Sequence, residues 1–132
     1  MPFFFKLQKF PVCNSTQFAP SILEEHASDY FDIDIPSPYM LFVCDVKQPE
    51  KIPAVTHVDG TARLQTVSKE SNPLYYELIN EFYTLTDVPV LINTSMNVMG
   101  EPIVNTPEQA YNMLVKTDMD ILVMGNNIIL RK

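Results

Sequence analysis

Apolar residues return at helical spacing in one long stretch of the chain. Leu74, Tyr75, Leu78, Ile79, Phe82 and Tyr83 fall on a single stripe, which predicts a helix with that stripe turned inward. Asn72 and Pro73 open it as N-cap and first helical residue, and it ends near Thr86, ahead of Pro89. Thr106-Pro107-Glu108-Gln109 has capping-box spacing and predicts a shorter helix to about Lys116, with Ala110, Met113 and Leu114 inward. Ser21-Ile22-Leu23-Glu24 has the same spacing and predicts a third helix, to about Tyr30, burying Leu23, Ala27, Tyr30 and Phe31.

Continuous apolar runs at 39–44 and 88–93 predict buried strands. Short strands are predicted at 54–58 and 63–67, joined by Asp59-Gly60-Thr61. Asp-Gly is a strong hairpin signal, with Gly60 at positive φ. Two closing strands at 121–124 and 128–131 flank Gly125-Asn126-Asn127 and read as a terminal hairpin. Residues 1–17 show no period, which predicts a frayed or loosely packed start. Three helices and six strands in mixed order make an α/β or α+β chain, a mixed sheet covered by helices.

The 132 residues suggest one domain, and 46% hydrophobic content predicts a packed globule rather than disorder. A net charge of −7 argues against binding nucleic acid or an anionic membrane surface. Arg63 and Arg131 are the only arginines, so an anion site must rely on few cations. Cys13 and Cys44 are too few and too far apart for a disulfide framework or a zinc site, and read as two reduced thiols. No apolar run approaches the ~18 residues of a membrane span. Phe3-Phe4-Phe5 is too short for the core of a signal peptide. A cytoplasmic protein is expected.

The chemistry concentrates in 53–104. Two predicted strands run into small polar clusters, Asp59-Gly60-Thr61 and Asn93-Thr94-Ser95. Hydroxyls, amides and backbone N–H groups at one sheet edge suit an oxyanion such as phosphate. Arg63 adds a planar, two-pronged cation. His57 and Asp59, two apart, share a face on a regular strand. Without a third ligand the pair is weak evidence for a metal, and an orienting role is preferred. His26, beside two glutamates, reads as solvated. Three glycines exclude Walker and Rossmann patterns, and Ser95 is not in a nucleophile elbow. Neither cysteine lies near an anion-binding signal that would support Cys-His catalysis. Composition and spacing alone stop at a small acidic α/β domain with an anion-binding edge.

Several longer phrases add to this. Ala54-Val-Thr-His57-Val-Asp-Gly-Thr-Ala-Arg63-Leu-Gln65, Asn72-Pro73-Leu-Tyr-Tyr, Pro89-Val-Leu-Ile-Asn93-Thr-Ser-Met-Asn97 and Gly100-Glu-Pro-Ile-Val104 resemble the C-terminal domain of the O-carbamoyltransferases. These include nodulation and antibiotic-tailoring enzymes. Phe18-Ala-Pro-Ser21-Ile-Leu-Glu-Glu, Ser37-Pro-Tyr-Met40 and Asp120-Ile-Leu-Val fit as well, so the resemblance covers 18–132 in unbroken order. It implies a YrdC-like fold, a twisted sheet with a concave face. It also implies that this domain binds carbamoyl phosphate and, as a second substrate, ATP, and forms carbamoyl-adenylate. A Kae1-like N-terminal domain would then pass the carbamoyl group to an acceptor hydroxyl, and no metal is expected in the present domain. By motif match Arg63 would hold phosphate and stabilise charge developing on it. Thr61, Asn93, Thr94, Ser95 and Asn97 would line the carbamoyl and nucleotide site, with His57 and Asp59 lining or bracing it.

Two departures from the family pattern shape the expectation. Members carry Lys-x-Arg-Glu-x-x-Arg-Pro just before Phe-Ala-Pro-Ser, whereas here Phe10 replaces the first lysine and Thr16-Gln17 the last arginine-proline. The N-terminal transfer domain is also missing, as in a truncated or rearranged copy. Two main readings follow. One is a carbamoyltransferase C-terminal domain working with a separately encoded N-terminal partner. The other is a non-catalytic remnant or interaction module that keeps the fold. A metal-dependent hydrolase built on His57 and Asp59 is a weaker third.

Overall fold

The computed structural model describes residues 4–7 and 18–131. In chain order the elements are β1 (Phe4–Leu7), β2 (Ala19–Leu23), a 3-10 turn (Glu24–His26), α1 (Ala27–Tyr30), β3 (Val43–Asp45), a second 3-10 turn (Pro53–Val55), β4 (Thr61–Arg63), β5 (Gln65–Val67), α2 (Pro73–Thr86), β6 (Val90–Asn93), α3 (Pro107–Lys116), β7 (Ile121–Met124) and β8 (Asn127–Leu130). The class is mixed α/β, as the pattern predicts, with the strands divided among three small sheets. The described residues gather into two compact units, 18–94 and 4–7 with 95–131.

In the first unit β2 is the central strand, parallel to β5 and antiparallel to β6. All five residues of β2 are buried. Here the sequence expectation of a capped helix from Ser21 is overturned. A strand flanked by two partners satisfies its backbone on both sides and buries both faces, which outweighs a local capping pattern. Helical structure begins only at Glu24. Pro20 carries the overlooked signal, because the residue before proline prefers extended backbone. Pro20 also lies where β2 has only β6 beside it, since pairing with β5 starts at Ser21. Its missing N–H is tolerated at such an edge.

β4 and β5 form one extended run interrupted at Leu64, and β3 pairs antiparallel with β4. Burial alternates along the run. Ala62, Leu64 and Thr66 are buried, while Thr61, Arg63 and Gln65 are open or half-open. The inward set joins Ile22, Tyr30, Phe31, Ile52, Val55 and Val90 in the main core. The opposite face of the sheet is closed by α2, whose Ile79 packs with Leu23 and Val67. Burying one such side chain contributes about 1.5–3 kcal/mol.

α2 begins at Pro73 under the Asn72 cap, as predicted, and ends at Asp87 in the left-handed conformation. Its stripe is shallower than expected, since Ile79 is its one fully buried residue and Leu74 is 56% exposed. Two predicted strands change character. Residues 54–58 hold a 3-10 turn, because Pro53 locks φ at its start and Val55 N–H bonds back to Ile52. The 39–44 run is not a buried strand. The strand is Val43–Asp45, and Tyr39 and Leu41 are 80% and 74% exposed. Among the described residues no layer covers that side of the β3–β4 ribbon. His26, expected to be solvated, is half-buried against the Tyr83 ring, with Nδ1 3.3 Å from Asp29.

The second unit is an antiparallel sheet ordered β1-β7-β8 with α3 on one face. Ala110, Met113 and Leu114 point inward as predicted and meet Met119 and Leu122. The β7–β8 hairpin is also as predicted, with Gly125 at φ +56°. Of the loosely packed start expected over 1–17, residues 4–7 form a strand paired with β7. The rest, including the departures at Phe10, Thr16 and Gln17, lies outside the described residues. No helix among the described residues is long and apolar enough to cross a membrane.

Candidate functional site

The candidate residues of the first unit start at a tight turn. Gly60 N–H donates to the His57 carbonyl at 2.9 Å, and His57 N–H donates to the Thr61 carbonyl at 2.8 Å. Gly60 sits at φ +82°, where an L side chain is strained. Asp59 Oδ1 accepts both the Thr61 N–H, at 3.1 Å, and the Thr61 hydroxyl, at 2.7 Å. These bonds hold the Asp59 carboxyl below its ordinary range, the hydroxyl contributing most and the nearby His57 adding to it. The hydroxyl proton is committed to Asp59. The 3.2 Å contact of Thr61 Oγ1 with His57 Nδ1 is therefore an N–H donating to oxygen. That fixes the imidazole tautomer, with the proton on Nδ1 and Nε2 available as an acceptor in the neutral ring. His57 and Asp59 are thus joined through Thr61, not by the strand alternation that the sequence suggested.

Arg63 follows two residues later on the same side of the extended run. Its side chain is exposed, and the guanidinium has no hydrogen-bond or ion-pair partner among the described residues. On β3 the register partners of Thr61 and Arg63 are Asp45 and Val43.

The next residue on that side, Gln65, ties three strands together. Its Oε1 accepts from Ser21 Oγ at 2.8 Å and from Asn93 Nδ2 at 2.6 Å. Its Nε2 donates to the Pro38 carbonyl at 3.1 Å. β2 supplies only Ala19 and Ser21 at this level. The longer amides of β5 and β6 can meet over those small side chains. Ser21 is fully buried. Tyr75 of α2 reaches the same place. Burial pushes its phenol up, and a hydrogen bond with Ser21 pulls it back. Ser37 and Thr66 pin the neighbouring loop, through Ser37 N–H to Thr66 Oγ1 at 2.8 Å and Ser37 Oγ to the Leu64 carbonyl at 2.9 Å. Thr94, exposed, ends the unit.

Sequence reasoning left Gln65 and Ser21 out of the site. Gln65 stood inside a quoted phrase but carries no charge, and Ser21 read as a helix cap. A glutamine alternating with buried Leu64 and Thr66 was the available signal.

Ser95 and Asn97 belong to the second unit. Ser95 Oγ donates to Asn97 Oδ1 at 2.6 Å, and Asn97 Nδ2 donates to the carbonyls of Val98 at 3.2 Å and Glu101 at 3.1 Å. The Asn97 amide therefore shapes the loop around Gly100. The first unit's residues offer a planar cation and an oriented amide along one side of the β4–β5 run, and an imidazole of fixed tautomer in the turn before it. No three of His, Cys, Asp and Glu come together as a metal site among the described residues.

Residues 16–131 match the family described as carbamoyltransferase C-terminus. The chain is 48% identical to an uncharacterized protein of Synechocystis over 134 aligned residues, covering 85% of this chain and 22% of that protein. It is 46% identical to nodulation protein NolNO of Sinorhizobium fredii over 120 residues, covering 87% of this chain and 18% of the other. With nodulation protein NolO of Bradyrhizobium diazoefficiens the identity is 47% over 113 residues, 82% of this chain and 21% of that one. The chain spans about a fifth of the length of these relatives.

Proposed function

Because the chain belongs to the carbamoyltransferase C-terminus family, we propose that it binds carbamoyl phosphate and ATP and joins their carbamoyl and adenylyl groups. Inorganic phosphate and pyrophosphate leave, and one water is consumed. A Kae1-like N-terminal domain would then pass the carbamoyl group of the adenylate to an acceptor hydroxyl.

The observation that carries this reading is Arg63. Its guanidinium is exposed and without a polar partner among the described residues, on the same side of the β4–β5 run as Thr61 and Gln65. A guanidinium there can grip a phosphate with two parallel N–H bonds. It would also stabilise negative charge as phosphate departs. Thr61 and Asn93 line the same side, Thr94 directly follows β6, and His57 and Asp59 brace the turn that carries Thr61. Ser95 and Asn97 shape the loop that follows.

Calorimetric titration of carbamoyl phosphate, with and without ATP, into wild type and Arg63→Ala tests this. One charge-assisted contact contributes about 1.5–3 kcal/mol. The variant should therefore bind roughly 10- to 150-fold more weakly. Absence of binding by a folded wild type would sink the proposal and leave a module that keeps the fold without the chemistry.

A further inference from the structure

Taking carbamoyl phosphate as the ligand proposed above, we infer that Asn93 selects the carbamoyl group by accepting its N–H, and that Gln65 is the positioning residue that fixes this polarity. The orientation of both amides follows from one fixed point. A backbone carbonyl can only accept, so the Gln65 atom 3.1 Å from the Pro38 oxygen is the donor Nε2. Gln65 Oε1 therefore faces Ser21 and Asn93. An acceptor there requires Asn93 to present its NH2, which lies 2.6 Å away. The same NH2 is 3.6 Å from Met40 Sδ, so both of its protons have a direction.

What remains of Asn93 is Oδ1. Among the described residues it has no hydrogen-bond partner. Asn93 is half-buried at the last position of β6. A half-buried acceptor held against rotation recognises a donor. A carbamoyl group carries an NH2 where the otherwise similar acetyl group carries a methyl. With acetyl phosphate the oxygen would face a methyl group and lose its hydrogen bond, which is how such sites reject an analogue. Arg63 holds the phosphate common to both ligands and does not discriminate between them.

Removing Gln65 frees the Asn93 amide to turn over and present its NH2 instead. Selectivity then falls although Asn93 itself is intact. The test is the affinity of the 132-residue chain for carbamoyl phosphate and acetyl phosphate, measured by calorimetry. The proteins are wild type, Gln65→Leu, Gln65→Glu and Asn93→Leu. Wild type should prefer carbamoyl phosphate by about tenfold or more, the value of one hydrogen bond whose loss strands its partner. Gln65→Leu and Asn93→Leu should bring the ratio close to one. Gln65→Glu keeps an acceptor for Ser21 and Asn93, so it should hold the ratio. Its added charge repels both phosphates alike and cancels in the comparison. A general loss of structure lowers both affinities alike and leaves their ratio unchanged, so the ratio is the readout that a merely structural role would not move.

Equal affinity of wild type for the two ligands overturns the selectivity inference while leaving the phosphate site intact. Binding of neither ligand overturns both this inference and the function proposed above. A ratio that survives Gln65→Leu removes Gln65 from the mechanism.

Discussion

Thr61 ties two candidate side chains together through a single hydroxyl. Its proton goes to Asp59 and its oxygen receives the His57 Nδ1–H. The Asp59 carboxyl is lowered chiefly by that hydroxyl. A carboxyl whose folded value is depressed contributes stability above its ordinary range. That contribution is lost as pH falls through the folded value. The turn should therefore weaken only below about pH 4. Thr61→Val keeps the shape and removes the hydroxyl, so Asp59 should titrate closer to its ordinary value. A carbon-detected NMR titration of the Asp59 carboxyl reads this directly, and an unchanged midpoint in the variant would refute it. His57, Asp59 and Arg63 were visible as candidates because they bear charge or can. Gln65 was not, because its importance lies in which strands flank it; its alternation with Leu64 and Thr66 indicates the side it faces and not the partners it meets there.

At the scale of elements, local chemistry decided some outcomes and lost others. α3 shows both halves of its capping box, with Gln109 N–H to Thr106 Oγ1 at 3.2 Å and the Gln109 side chain accepting from the Thr106 N–H at 3.3 Å. The Gln109 side chain also accepts from the Asn105 N–H at 2.8 Å, so every partner of the box lies within the same turn. Thr106→Ala should cost about 1 kcal/mol, seen as a lowered thermal midpoint with native helix content at low temperature. A variant melting together with wild type would show that the cap is not limiting. The same Ser-x-x-Glu pattern at Ser21 failed, because β5 and β6 claim that segment as a central strand. The apolar run at 39–44 failed in another way. Continuous apolar character implies cover on both faces, but β3 has one strand partner and little over its outer side.

Across the whole molecule, two units each bury a core of their own. The chain corresponds to about a fifth of each relative. On the proposed division of labour, the residues that deliver the carbamoyl group to an acceptor lie in the remainder. The isolated chain should therefore make no carbamoylated product from carbamoyl phosphate, ATP and an acceptor alcohol. Mass spectrometry of the acceptor checks this, and product formed by this chain alone would overturn that division.

The residue order alone determined the mixed α/β class, α2 and α3 with their caps, the closing hairpin, the positive φ of Gly60 and the family. These are properties of short windows, or of phrases long enough to be distinctive, and they hold wherever no distant segment competes. Tertiary structure decided that Ser21 lies in a central strand and that Gln65, Ser21 and Asn93 meet. It also decided that Asn93 turns its NH2 inward. Each depends on strand register between segments 28 or more residues apart, and register is a property of paired strands that no single window of the chain contains.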